Sequence, residues 1–309
     1  MSILLWLVAS CVWADTKTVG ISTWNEYPTS VEGFIKGLAL GGFIEGKNIT
    51  LIRRSSGADK DKQHRIAEEF KNLKVDLVYS LTTPGTVIIK NDLPPSIPIV
   101  FSIVTYPADS GLIESYDYSG NNLVGTSNFV PQHNFVKLLR TLLPNAKRAS
   151  VFHRSGEPNS KLQAVNLKRL LGRDGIDVID VEVSTLDEVE RVALSHKGKT
   201  DVFITTTDTL MQGGGERRLI KVGNKLNMPI MSSNKKGIEL GSSFGPVADF
   251  RVLGEISGRL AASILSGKAR PSDLASSVME TPLILVNRKS IEALNISIPN
   301  DMANVSYVD

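Results

Sequence analysis

A single cysteine, Cys11, in 309 residues excludes a disulfide framework. The four histidines, His64, His133, His153 and His196, have no metal-ligand spacing such as His-x-x-x-His. A Walker loop, a Gly-x-Gly-x-x-Gly turn and a nucleophile elbow are also lacking, which removes the sequence grounds for nucleotide binding or acyl transfer. Charge of one sign is scarce: 35 Lys and Arg face 32 Asp and Glu, a formal +3. No basic run carries interleaved aromatics, so no nucleic-acid partner is expected. No apolar run is long enough to cross a hydrocarbon core of roughly 30 Å as a helix. The remainder, 41% hydrophobic and 22% charged, is an ordinary globular composition at a length suited to two domains or one large one.

The first fourteen residues carry no charge and run Ile3-Leu4-Leu5-Trp6-Leu7-Val8-Ala9-Ser10-Cys11-Val12-Trp13-Ala14. Such a run suits the apolar region of a signal peptide, with small residues placed for cleavage after Ala14. Val8-Ala9-Ser10-Cys11 also fits a lipobox, which would leave a lipidated Cys11 at the mature start. A buried core strand is the third reading of this run. Either export route places the protein in the periplasm and removes the thiol from structural use.

Beyond residue 15, β-branched runs alternate with helical periods. Thr18–Ile21 and Ile49–Ile52 read as strands. Val75–Ser80 and Ile97–Val104 read as nearly continuous apolar strands covered on both faces. Val31, Phe34, Ile35 and Leu38 fall on one helical face, as do Ile66, Phe70 and Leu73. A second series follows: a helix on Phe135, Leu138, Leu139 and Leu142, a strand at Ala149–His153, and a helix at Ser160–Gly172. Strands at Val178–Val183, Val202–Thr205 and Pro229–Ser232, a helix from about Thr209, and a long helix on Leu253, Ile256, Leu260 and Ile264 complete it. This alternation predicts an α/β fold of two Rossmann-like lobes with parallel sheets joined by a hinge. The expected division is a leader at 1–14, a first lobe at 15–125 plus about 249–282, and a second at 126–248 plus about 283–309. The crossovers are expected near Asn122–Asn128, Gly245–Ala248 and Pro282.

In parallel sheets ligands bind beyond the carboxyl ends of the strands, where helix N-termini offer free N–H groups. Polar clusters occupy those places: Asn25 and Tyr27 after the first strand, Thr82 and Thr83 after the third, Thr105 and Tyr106 after the fourth. The second series adds Glu157, Asn159 and Ser160, then Asp208, then Asn234. Each cluster alone reads as a turn or an N-cap; six on one rim read as a ligand cleft.

These residues carry a resemblance. Gly33-Phe34, Gly37-Leu38 and Gly42-Phe43-Ile44-Glu45-Gly46-Lys47-Asn48-Ile49 are followed by Pro98-Ile99-Val100-Phe101 and Thr105-Tyr106-Pro107-Ala108-Asp109-Ser110-Gly111-Leu112. Asn121–Gly125, Leu142–Lys147, Gly156–Ser160, Thr207-Asp208, Gly254 and Gly267-Lys268-Ala269 continue the order. Over roughly residues 17–299 the chain resembles the periplasmic solute-binding proteins of ABC transporters with the type I fold, in the group that includes tryptophan- and other amino-acid-binding members. The resemblance implies that Thr82 and Thr83, with Asn159 and Ser160, hold a ligand carboxylate. It implies that Asp208 pairs with an ammonium, that Tyr27, Tyr106 and Phe250 supply apolar walls, and that Asp249 caps the last long helix.

The chain departs from that pattern at Ser233-Asn234-Lys235, at Tyr106 and at Asn128, where relatives tend to carry an acid. A neutral or more anionic ligand, or a differently oriented amino acid, therefore stays open. The resemblance further implies a monomer without cofactor or metal that binds a small-molecule solute, closes by hinge bending and meets an ABC permease in the inner membrane. A membrane sensor is the alternative partner. An enzyme reading would set His153, Glu157 and Asp208 on one rim as base, acid and orienting carboxylate, without any supporting motif. A repressor reading would need a helix-turn-helix headpiece before the sheet that begins by Thr18.

Overall fold

A computed structural model describes residues 16–278 and 282–309. The leader, with Cys11 and Ala14, lies outside the described residues. The first half runs β1 (Lys17–Thr23), α1 (Pro28–Leu40), β2 (Ile49–Ser55), α2 (Lys60–Asn72), β3 (Leu77–Leu81), α3 (Thr83–Asp92), β4 (Ile99–Ser102) and β5 (Leu123–Ser127). There follow α4 (His133–Leu142), β6 (Arg148–Arg154), α5 (Pro158–Arg173), β7 (Asp177–Val183), α6 (Leu186–Ser195) and β8 (Val202–Thr205). A π-turn at Met211–Gly215 leads into α7 (Glu216–Leu226), then β9 (Ile230–Met231), α8 (Lys235–Glu239) and β10 (Phe244–Val247). The chain ends with α9 (Phe250–Leu265), β11 (Ser277–Val278), β12 (Leu283–Asn287), α10 (Arg288–Ala293) and β13 (Val305–Val308).

The strands form two sheets, ordered β11-β5-β4-β3-β1-β2 and β13-β12-β10-β9-β8-β6-β7. The core of each sheet repeats one pattern, in which the first strand of a series lies between the second and the third. This places a topological switch point between β1 and β3 and another between β6 and β8. The two series are thus architectural duplicates without a residue-level repeat. The first sheet is wholly parallel; the second is not, because β10 pairs antiparallel with β12. That pairing and the whole of α6 escape the periodicity argument. Leu73 also departs from expectation: it ends α2 half-exposed, and the buried face of that helix is Gln63, Ile66, Ala67 and Phe70.

Apolar layers cover both faces of each sheet, as near-continuous β-branched strands require. One layer is built in an unusual way. The chain leaves β10 in the second sheet, yet α9 packs on α1 and the first sheet, with Ser257 Oγ donating to the Phe101 carbonyl. The two helices meet through glycine. A Cβ on Gly37 would lie 2.2 Å from the Glu255 carbonyl oxygen, and one on Gly258 would lie 2.2 Å from that of Phe34. Gly33 and Gly254 make the same close approach to Arg251 and Ser30. The backbones therefore touch directly, and α9 buries Gly254, Ser257, Gly258, Ala261 and Ala262 between Leu253 and Leu265. Asp249 caps α9, accepting from the Arg251 and Val252 amides while Lys235 Nζ binds its other oxygen at 2.8 Å.

Candidate functional site

The two switch points face one small space walled by residues of both series. The first series lines it with Thr82, Thr83, Ile103 and Asn128; the second with Glu157, Asn159, Thr207, Asp208, Thr209 and Gln212. Three other hollows are larger, at about 1100–1580 Å³. Among the described residues none of the three is lined by a buried, unpartnered polar atom. The small space has five: Thr82 Oγ1, Thr83 Oγ1, Asn128 Nδ2, Asn159 Oδ1 and Gln212 Oε1 have no hydrogen-bond partner among the described residues. Buried polar groups are normally paired, so five orphans on the residues around one space make it the candidate site.

Local structure explains the donors. Thr82 holds the N-cap position of α3, but its hydroxyl makes no cap bond. Its φ of 72° and ψ of 156° lie in territory that costs a non-glycine residue on the order of 1–3 kcal/mol. Ile103, a β-branched residue at φ 57°, is the second outlier on the same wall. The helices α1, α3 and α5 each carry a proline in the first turn and no side-chain cap. By contrast Asp59, Thr185 and Asn287 cap α2, α6 and α10. At α3 the uncapped first-turn amides and the positive end of the helix dipole lie beside the two free hydroxyls, an arrangement suited to an anionic group.

The second wall is acidic. Asp208 accepts from the Arg154 amide at 3.2 Å, Thr206 Oγ1 at 2.7 Å and the Met211 amide at 2.7 Å. Burial, followed by the neighbouring Glu157 charge, pushes its carboxyl up from 3.8 to about 7. Glu157 accepts from Thr209 Oγ1 at 2.7 Å, and Arg154 Nη1 stands 3.8 Å from it. Burial raises this carboxyl too, against the bonds from Thr209. Tyr27 reaches the acids from the first wall: its phenol is raised by burial and then by the charges of Glu157 and Asp208.

A pH dependence follows. Asp208 binds its proton more tightly folded than unfolded. The ligand-free protein therefore gains stability from this group below about pH 4 and loses it as pH rises through about 7. Urea midpoints at pH 4.5 and 7.5 test this. Measured beside Asp208→Asn, whose side chain stays neutral, the wild type is expected to lose more stability relative to the variant at pH 7.5 than at pH 4.5; a difference between the two proteins that does not change with pH would refute it.

Of the residues singled out in the sequence, Thr82, Thr83, Glu157, Asn159 and Asp208 line the space, and Tyr27 borders it through its acids. The structure places the rest elsewhere. Ser160 Oγ is used up on the backbone oxygens of Arg154 and Glu157, as a helix-start hydroxyl often is. Thr105 stands behind the wall, donating to Asn128 Oδ1 at 3.1 Å. Tyr106 accepts from Gln132 Nε2 at 2.6 Å and packs on Phe129. Asn234 bonds Gln212, Thr206 and Glu216. Asn25 is half-buried, with its amide near Gly213. Phe250 meets the Tyr27 ring edge-on. His153 turns to Asp180 at 2.7 Å, apart from the acid pair. Among the lining residues, Ile103 and Gln212 carry no signal in the sequence, whereas Thr207, Thr209 and Asn128 lie in stretches already noted.

Comparison with known proteins places the chain in a family. A protein from Clostridioides difficile (strain R20291), named tyrosine-binding protein, is 31% identical over 295 residues, covering 94% of this chain and 84% of that protein. An ABC domain from Streptococcus pneumonia, solved in complex with L-Trp, superposes with a TM-score of 0.89 at 23% identity, over 96% of this chain and 100% of the other. A ligand-free, open substrate-binding protein with adhesive properties from Clostridium difficile gives 0.74 at 29% identity, over 95% and 99%. Residues 24–306 match the family described as ABC transporter substrate binding protein. The chain belongs to that family.

Proposed function

We propose that this protein captures an amino acid, with an aromatic one as the first candidate, between two lobes that close by hinge bending, and hands it to an import permease from the extracytoplasmic side. The observation that carries the reading is the set of orphaned polar atoms around one buried space, with free hydroxyls at the α3 N-terminus on one wall and Asp208 and Glu157 on the other. A zwitterion matches both walls, its carboxylate on the α3 side and its ammonium against the acids. The binding of tyrosine and tryptophan by relatives supports an aromatic side chain. The lower TM-score to the open relative, despite its higher identity, supports a hinge. The chain passes between sheets after Ser127 and after Val247, and is back in the second sheet from Leu283; the first two crossings belong to the proposed hinge, with a third crossing expected close to Pro282.

A thermal-shift panel of the twenty amino acids, with sugars and organic acids for contrast, tests the reading. A ligand at 100 times its Kd adds about 2.7 kcal/mol of stability, so tyrosine or tryptophan is expected to raise Tm by several degrees. A sugar or a dicarboxylate in their place would overturn the ligand class.

A further inference from the structure

Gln212 enters the site with a fixed polarity. Asn234 is held behind it, donating through Nδ2 to the Thr206 backbone oxygen at 3.3 Å and to Glu216 Oε2 at 3.1 Å. A backbone carbonyl can only accept, so the Asn234 amide has one orientation that satisfies its surroundings, with Oδ1 turned toward Gln212. Gln212 Nε2 donates to that oxygen at 3.0 Å. The remaining polar atom, Gln212 Oε1, is buried, without a partner among the described residues, and belongs to the wall of the ligand space. It is an acceptor lining the same space as Asp208, one helical turn on, with the Gln212 backbone N–H donating to the Asp208 carbonyl at 3.0 Å.

We infer that Gln212 is a specificity-determining residue, accepting a hydrogen bond from the ligand's α-amino group, and that Asn234 is the positioning residue that keeps its oxygen turned to the ligand. This rests on the amino-acid reading above and deepens it. An ammonium has three donors, and Asp208 offers a charge without discriminating among cations. A neutral acceptor of set direction adds geometric selection for a primary amine. A carboxylic acid lacking the amine would leave Gln212 Oε1 and the acids unmatched, and such mismatched buried groups reject a ligand strongly.

The test is calorimetric titration of the whole chain with L-tyrosine, L-tryptophan and their des-amino analogues, 3-(4-hydroxyphenyl)propionate and 3-(indol-3-yl)propionate. Gln212→Met keeps the shape and removes the acceptor. It is expected to weaken amino-acid binding about tenfold or more while leaving the des-amino analogues unchanged or bound more tightly. Gln212→Glu retains an acceptor oxygen and is expected to retain the preference for the amine. Asn234→Ala should erode the same preference in the wild-type background and have no further effect on it beside Gln212→Met. Equal loss for both ligand classes in Gln212→Met, or loss of amine preference in Gln212→Glu, would overturn the assignment while leaving the amino-acid reading standing. A wild-type protein that binds neither amino acid would overturn both.

Discussion

Asp208→Asn is expected to weaken binding of an α-amino acid by about 100-fold or more, which corresponds to about 2.7 kcal/mol. The reason is the dryness of the place. Asp208 is buried and already accepts three hydrogen bonds from the protein, so its remaining accepting capacity and its charge are what a bound ammonium would use. Removing the charge leaves a desolvated cation without its partner, a loss that commonly exceeds the worth of the pair itself. A second consequence distinguishes this from simple damage. A cation beside Asp208 draws its proton off, so wild-type affinity is expected to fall as pH is lowered from about 7 toward 5, by up to tenfold per unit. Asp208→Asn should flatten that dependence. Unchanged affinity in the variant would remove Asp208 from the binding role, and a retained pH slope would assign the proton to Glu157.

The second large effect concerns the contact of α1 with α9. Gly37→Ala and Gly258→Ala each place a methyl 2.2 Å from a backbone oxygen of the facing helix. No rotamer relieves this, because the obstacle is main chain, and the helices must part. Each is expected to cost on the order of 1–3 kcal/mol through overpacking, despite the better helix propensity of alanine. Together they should not add, since parting the helices once accommodates both methyls. Gly172→Ala in α5 is the control. Its Cβ would meet nothing within 4 Å, and it is expected to stabilise by about 0.4–1 kcal/mol. Urea unfolding of the three single variants and the double checks both signs. Tolerance of both seam variants would show that the helices do not need their close approach.

This seam marks where periodicity stops being a guide. The long helix read from Leu253, Ile256, Leu260 and Ile264 is present, yet Ile256, Leu260 and Ile264 are only partly buried. The face pressed to its neighbour is glycine, serine and alanine. An apolar moment finds a helix and its general inner side; it does not register that two backbones can approach more closely where side chains are missing. The antiparallel β10–β12 pair escaped for a related reason, since four residues bearing a proline, Phe244–Val247, give no alternation to read.

The sequence alone determined the alternation of strands and helices, the two series, and the rim on which polar loops collect. Each of these follows from local hydrophobic period and turn chemistry, which a chain carries along its length. Tertiary structure decided which of those polar residues line the proposed ligand space. Ser160 and Thr82 look alike in sequence, each a hydroxyl at the start of a helix opened by a proline. Ser160 spends its hydroxyl on backbone oxygens, while the strained backbone at Thr82 leaves its own free. Gln212 lies in a π-turn containing Gly214 at φ 127°, where the 3.6-residue period no longer says which way a side chain points. Its accepting atom is fixed only by Asn234, twenty-two positions away. The direction of a polar group depends on what already satisfies its neighbours, and that is settled only when the chain has folded.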